Sequence, residues 1–227
     1  MAGAPPRMAA LAEALELGVD ALQQAIGVLR AHAASRASGT PRAKDEALPD
    51  PAELPVGVAD RLLLAIHEEA LGRPLEVTLE CDACGELTTL VLSQDAVGEH
   101  WPRSAWCAPG VGAREPSYLD LAAARGDAGA LLERCSIGTG ATLEDIGRIE
   151  GSLCGPLVSS CIECGDPIFD DRDVVPLVLA SLAHIGAELD YQVHVLAATY
   201  GWDLASIETL PDARRRRLVD LAAGMAP

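Results

Sequence analysis

Apolar side chains recur at helical spacing over most of this chain. Leu15, Val19, Leu22, Ile26 and Leu29 follow one another by four, three, four and three positions, the a/d rhythm of a coiled-coil seam, and Met8 and Leu11 extend it. Residues 1–33 therefore read as an N-terminal segment built on one amphipathic helix over 8–33. Residues 34–56 are rich in Ser, Pro, Ala and charge, the composition of a flexible linker. A helix set off by such a linker is free to serve a partner or to self-associate with a second copy. The alternative is that it docks on its own body.

The body spans 57–227 and starts with a helix over 57–72, with Asp60 near its start and Gly72 at its end. The rhythm then shifts to alternation. PLEVTLE (74–80) and LTTLVL (87–92) read as short strands around a Cys-Asp-Ala-Cys-Gly turn. A loop over 96–115 follows, holding Trp101 and Trp106, and then helix over 117–134, broken near Gly126. After SIGTG (136–140) a short helix begins near Leu143. GPLVSSCIECGDPIFD repeats the strand–turn–strand pattern, its first cysteine 80 positions after Cys81. Val178, Leu182, Ile185, Leu189, Val193 and Leu196 mark a long helix over 174–200, with Pro176 tolerable only in its first turn. Gly201 ends it, Asp203 caps the next helical stretch, and Pro211–Asp212 opens the last helix, so that 204–222 is helical overall. The expected fold is mainly α with a small β, zinc-ribbon-like element.

Composition sharpens this picture. Aromatics are 3 % of the 227 residues, so the core must be made from Leu, Val, Ile and Ala. No uninterrupted apolar run approaches the roughly 18 residues of a membrane span, and the N-terminal stretch carries acids where a secretory signal is apolar. The expectation is a cytoplasmic protein without a membrane partner. The net charge of −17 argues against nucleic acid, which needs a basic surface to release phosphate counterions. The one basic run, Arg214, Arg215, Arg216 and Arg217, reads as a solvated face answering nearby acids.

Seven cysteines in a chain read as cytoplasmic argue for metal ligation, buried thiols or redox chemistry and against a disulfide framework. Cys-x-x-Cys-Gly occurs twice. The two-residue spacer lets both sulfurs face one ion and the glycine relieves the turn, so each copy supplies half of a tetrahedral shell. Cys81, Cys84, Cys161 and Cys164 together make a closed set for a structural zinc ion. The competing reading is a dithiol–disulfide oxidoreductase, in which a Cys-x-x-Cys sits at a helix N-terminus; here strand-like residues follow both copies. Reduced structural thiols are a third possibility. Cys107, Cys135 and Cys154 have no matched spacing and read as buried apolar thiols. His67 and His194 lie on apolar helices without a nucleophile beside them, SIGTG lacks the lysine of a phosphate loop, and the acids from Glu163 to Asp173 lack calcium-loop spacing. No catalytic set emerges, and the chain is expected not to be an enzyme.

The run 189–221 carries Val193, His194, Leu196 and Ala197, then Tyr200-Gly201-Trp202, Leu210 before a proline, and the pair Arg216–Arg217. In this it resembles the baseplate hub assembly chaperone family of T-even-like contractile phages and related contractile injection systems. It departs from that family at Leu218 and Val219, where an aromatic is frequent, and at Asp203, where Ser is common. Upstream, over 57–188, the resemblance is weaker. It rests on the helix, the two cysteine turns (both without the family's proline) and Arg134–Cys135. The resemblance implies a non-enzymatic assembly factor whose partners are baseplate, hub or spike proteins. A permanent structural role in the baseplate is the alternative within that family. Tyr200, Trp202 and the four arginines would then offer a docking face, with Leu15, Val19, Leu22, Ile26 and Leu29 a second one.

Overall fold

A computed structural model of the chain describes residues 8–37, 50–102, 104–108 and 110–224. They fall into two units, Met1–Ser181 and Leu182–Pro227. Helix predominates, with strands confined to small antiparallel sheets, the mainly α architecture with a minor β element that the pattern predicts.

The first unit opens with two helices where the seam predicts one. α1 (Met8–Leu17) and α2 (Ala21–Ala37) are separated at Gly18–Asp20. The break is built from side chains that the heptad count ignores. Gln24 Nε2 donates to the Leu15 carbonyl, and Asp20 Oδ1 accepts from the Gln23 backbone N–H, so one helix end and one helix start are satisfied. A Cβ on Gly18 would lie 2.6 Å from the Gln24 backbone nitrogen, so only glycine fits this turn. Leu15, Ile26 and Leu29 are buried, Leu22 is half-buried and Val19 is exposed. α2 lies against a 3₁₀ turn at Pro51–Glu53, against α3 (Val56–Leu71) and against α5 (Tyr118–Ala124). Arg30 forms a forked ion pair with Asp50, and Arg36 pairs with Glu69 at 3.7 Å. The continuous seam of the sequence reading is corrected accordingly. Of the expected 34–56 linker, 34–37 continue α2, 50–56 belong to the packed unit, and 38–49 lie outside the described residues.

α3 ends on Gly72, whose φ of +65° closes the helix in the left-handed region. It leads into β1 (Leu75–Glu80), which pairs with β2 (Leu87–Leu92) in an antiparallel hairpin running from Leu75↔Leu92 to Glu80↔Leu87. The expected loop over 96–115 contains regular structure: α4 (Gln94–Val97), β3 (Ser104–Ala108) and β4 (Val111–Arg114). α5 and α6 (Ala128–Cys135) flank the predicted break, and β5 (Ser136–Ile137) adds a third strand beside β4. α7 (Leu143–Ile149) begins on a capping box between Thr142 and Asp145. β6 (Leu157–Ser160) and β7 (Pro167–Asp170) form the second hairpin.

α8 (Val174–Tyr200) runs from the first unit into the second. By length and composition it is long and apolar enough to cross a membrane, with a mean hydropathy of 1.3 over its best window. The sequence expectation of no such segment, based on uninterrupted apolar runs, is corrected to that extent. Its buried side chains Val178, Leu182, Leu189 and Leu196 share one stripe at heptad-like spacing, as in a helix that packs on one face. Of the acids just before it, Asp170 holds Arg172 and the Asp173 side chain accepts from the Gly155 N–H. In the second unit Leu196, Ile207 and Val219 form a small core joining α8, α9 (Leu204–Glu208) and α10 (Asp212–Ala222).

Candidate metal centre

The two cysteine turns fold alike. In the first, the Cys81 N–H donates to the Glu86 carbonyl and the Gly85 N–H to the Cys81 carbonyl; in the second, Cys161 pairs with Asp166 and Gly165 with Cys161 in the same way. Gly85 and Gly165 adopt φ of +73° and +78°, a conformation a side chain would strain. Cys81 and Cys161 are buried, while Cys84 and Cys164 face outward.

These turns bring all four sulfurs together, each within 4.8 Å of the others. Cys81 Sγ lies 3.6 Å from Cys164 Sγ, and Cys84 Sγ lies 3.6 Å from Cys161 Sγ. A tetrahedron with metal–sulfur bonds of roughly 2.3 Å has edges of roughly 3.8 Å, so the donor set fits one ion. A disulfide needs the sulfurs at roughly 2.05 Å. Donor chemistry agrees with geometry. The N–H groups of Cys164 and Glu163 pull the Cys161 thiol well below its usual range. Cys164 is drawn down by the Asp166 N–H, but desolvation and the neighbouring thiols push it up more strongly. Four close thiols cannot all ionise without a cation among them, and a soft divalent ion removes that conflict.

What places the two hairpins is a buried polar clasp that the sequence reading missed. Glu115, just after β4, is 3 % exposed and accepts at Oε1 from the N–H groups of Gly57 and Gly151. Its Oε2 meets His100 Nε2 at 2.7 Å. One carboxylate thus caps the N-terminus of α3, satisfies the loop before β6 and holds an imidazole. Asp60, one turn into α3, accepts from Tyr118 Oη, from Ser152 Oγ and from the Leu153 N–H. Burial raises the Asp60 carboxyl above its ordinary value despite these three donors. Arg61 Nη1 donates to the carbonyls of Gly57 and Gly151 at 2.8 and 2.7 Å. α3 leads into the first hairpin and the 151–155 loop into the second, so the clasp sets their bases. Across them, Arg172 Nη2 reaches the Thr78 carbonyl of β1 at 3.2 Å. No spacing rule links positions 57, 60, 100, 115 and 151. Only Asp60, near a helix start, is visible in the sequence.

The other sequence candidates lie apart from the sulfur cluster. Cys135 is buried with Ala113, Ile146 and Ile149, as expected. Cys154 is exposed, which corrects its reading as a buried thiol, and nothing is described of the Cys107 side chain. His67 is buried, with Nε2 3.0 Å from Ser181 Oγ and Nδ1 unpartnered, whereas His194 is exposed. Tyr200 and Trp202 stack with centroids 5.1 Å apart. Arg215 donates to Gln192 and to the Leu210 carbonyl, and Arg216 pairs with Glu188 and Asp212, tying α10 to α8 within the second unit. Arg214 and Arg217 are exposed. A second polar group joins Arg114, Asp120 and Arg134, with the buried Asp120 carboxylate between the two guanidinium groups and held well below the usual range: Arg114 and Ser117 outweigh the opposing cost of burial.

No family model, curated protein or solved structure matches this chain.

Proposed function

We propose that the four thiolates hold one structural zinc ion and that the protein is a non-enzymatic binding module. The observation that carries the metal is the convergence of Cys81, Cys84, Cys161 and Cys164 from two hairpins far apart in the chain. Four protein sulfurs close the coordination shell, which leaves no position for substrate or water. Zinc suits a site with two outward-facing cysteines because it has no redox chemistry to lose there. Against a dithiol oxidoreductase stand the strands after both turns, where a reactive cysteine draws on a helix N-terminus, and the close approach of sulfurs from different turns.

We propose further that the protein acts in the bacterial or phage-infected cytoplasm as an assembly chaperone for the baseplate or central hub of a contractile tail or injection system. The support for this role is the resemblance carried by residues 189–221. Affinity purification during particle production tests it. Recovery of hub, spike or baseplate proteins with the chain, and its absence from finished particles, are expected. Its presence in finished particles would make it a permanent component, and recovery of no tail protein would overturn the role.

A further inference from the structure

The two hairpins are structural copies offset by 80 positions. Residues 81–90 and 161–170 share the same succession of buried, exposed and half-buried positions, residue by residue. The cross-strand pair Thr78↔Thr89 of the first hairpin corresponds to Val158↔Phe169 of the second, and both pairs face outward. Within the turns, exposed Asp82 corresponds to exposed Ile162. The first copy shows that this geometry is satisfied by threonine and aspartate. The second copy places Val158, Ile162 and Phe169 at the same positions, 57 %, 75 % and 66 % exposed. Phe169 is the single phenylalanine of a chain with very few aromatics. Folding does not require these side chains to be apolar, and a contiguous exposed apolar surface is costly unless something covers it.

Charge says what covers it. The segments 75–92 and 157–170 hold seven acidic residues and no Lys or Arg. Guanidinium groups engage Asp170, through Arg172, and Glu76, through Arg73 at 3.9 Å, while Glu163 and Asp166 stand exposed on the same hairpin as Phe169. Four thiolates around a divalent ion add a further net negative charge. We infer that the outer face of the β6–β7 hairpin is a docking site for a partner segment that carries apolar anchors alternating with Lys or Arg. Val158 and Phe169 take the apolar anchors, and the flanking acids fix orientation and hasten encounter. The inference deepens the reading of the protein as a binding module and depends on the folded hairpins, not on which client is bound.

The test uses the full-length, metal-loaded protein and a fluorescein-labelled peptide of alternating lysine and leucine. Binding is read by anisotropy, beside a lysine–serine peptide of equal charge. The variant Val158→Thr/Phe169→Thr copies the outward pair of the first hairpin, so its metal content and melting temperature should match the wild type. The expected result is that the variant weakens lysine–leucine binding by roughly tenfold or more, and that the lysine–serine peptide binds the wild type more weakly by a similar factor. Equal binding by the variant, or equal binding of the two peptides, would overturn the proposal. So would a dimer seen by sedimentation that the variant abolishes, since a second copy would then be the occupant. If tail proteins co-purify equally with wild type and variant, the docking face fails while the assembly role stands. Peptide binding without any tail protein supports the face and removes the role.

Discussion

Cys81 Sγ and Cys164 Sγ lie 3.6 Å apart although 83 positions separate them in the chain. Everything between them, including the four helices α4 to α7 and the three-stranded sheet, is enclosed in the loop that a metal at this site would close. In a chain with so few aromatic side chains, closing that loop reduces the conformational freedom of the unfolded state where core burial is modest.

Replacing Cys84 by Ser should therefore act on the whole fold although the residue faces solvent. With zinc held as proposed, loss of one thiolate opens the shell, and metal binding free energy becomes folding free energy. The expected cost is on the order of 3 kcal/mol or more, a fall in melting temperature of about 10 °C. Calorimetry of Cys84→Ser beside Cys154→Ser checks it. The second variant removes an exposed thiol outside the cluster and should melt near the wild type.

Gly151 and His100 give a steric prediction. A Cβ on Gly151 would lie 1.9 Å from His100 Cε1, with the Glu115 side chain holding the ring at Nε2. Gly151→Ala should cost about 2 kcal/mol, as overpacking of a buried site does. Because the same loop sets the base of the second hairpin, metal affinity should fall with it. Denaturant unfolding with and without added zinc measures both. Gly147→Ala, where the added carbon meets nothing, serves as the control.

How far the sequence led depends on the range of the forces involved. Local signals were read well: Gly72 and Gly201 as helix stops, Asp203 as a cap, Pro176 in a first turn, and both cysteine turns. Each is a backbone rule that acts within a few residues. The N-terminal seam misled because Leu15 and Ile26 keep the rhythm across a break made by Gly18, Asp20 and Gln24. Hydrophobic spacing carries no information about such polar contacts. β3 and β4 were missed because their short strands hold Trp106, Gly112 and Ala113 without clean alternation. The Glu115 clasp joins its own segment to three others, two through backbone N–H groups and one through the His100 ring, at separations that no local spacing rule spans.

Thr88 and Ile168 occupy matched buried positions in the two hairpins, and the Thr88 hydroxyl has no hydrogen-bond partner. Thr88→Val keeps the shape and removes an unpaired polar group. It should stabilise the protein by about 1 kcal/mol with metal content unchanged, as a shift in the denaturation midpoint shows.

His67 supplies a pH prediction. Burial lowers its pKa in the folded protein to about 4 from the ordinary 6.5. Its contribution is intact above pH 6.5 and is lost as the pH falls towards 4, because the unfolded chain takes up the proton first. The loss amounts to about 3 kcal/mol when complete. Stability of the wild type minus that of His67→Asn should therefore decline through this window, and a flat difference would remove the assignment.

The most direct test of the central claim is native mass spectrometry of the purified protein, with its absorption spectrum recorded alongside. One zinc ion per folded chain, no visible absorption, and loss of the ion in every single Ser variant of Cys81, Cys84, Cys161 and Cys164 is the result expected. A coloured protein would replace zinc with iron at the same site. A metal-free chain that melts unchanged, with a disulfide within one Cys-x-x-Cys turn, would contradict the account.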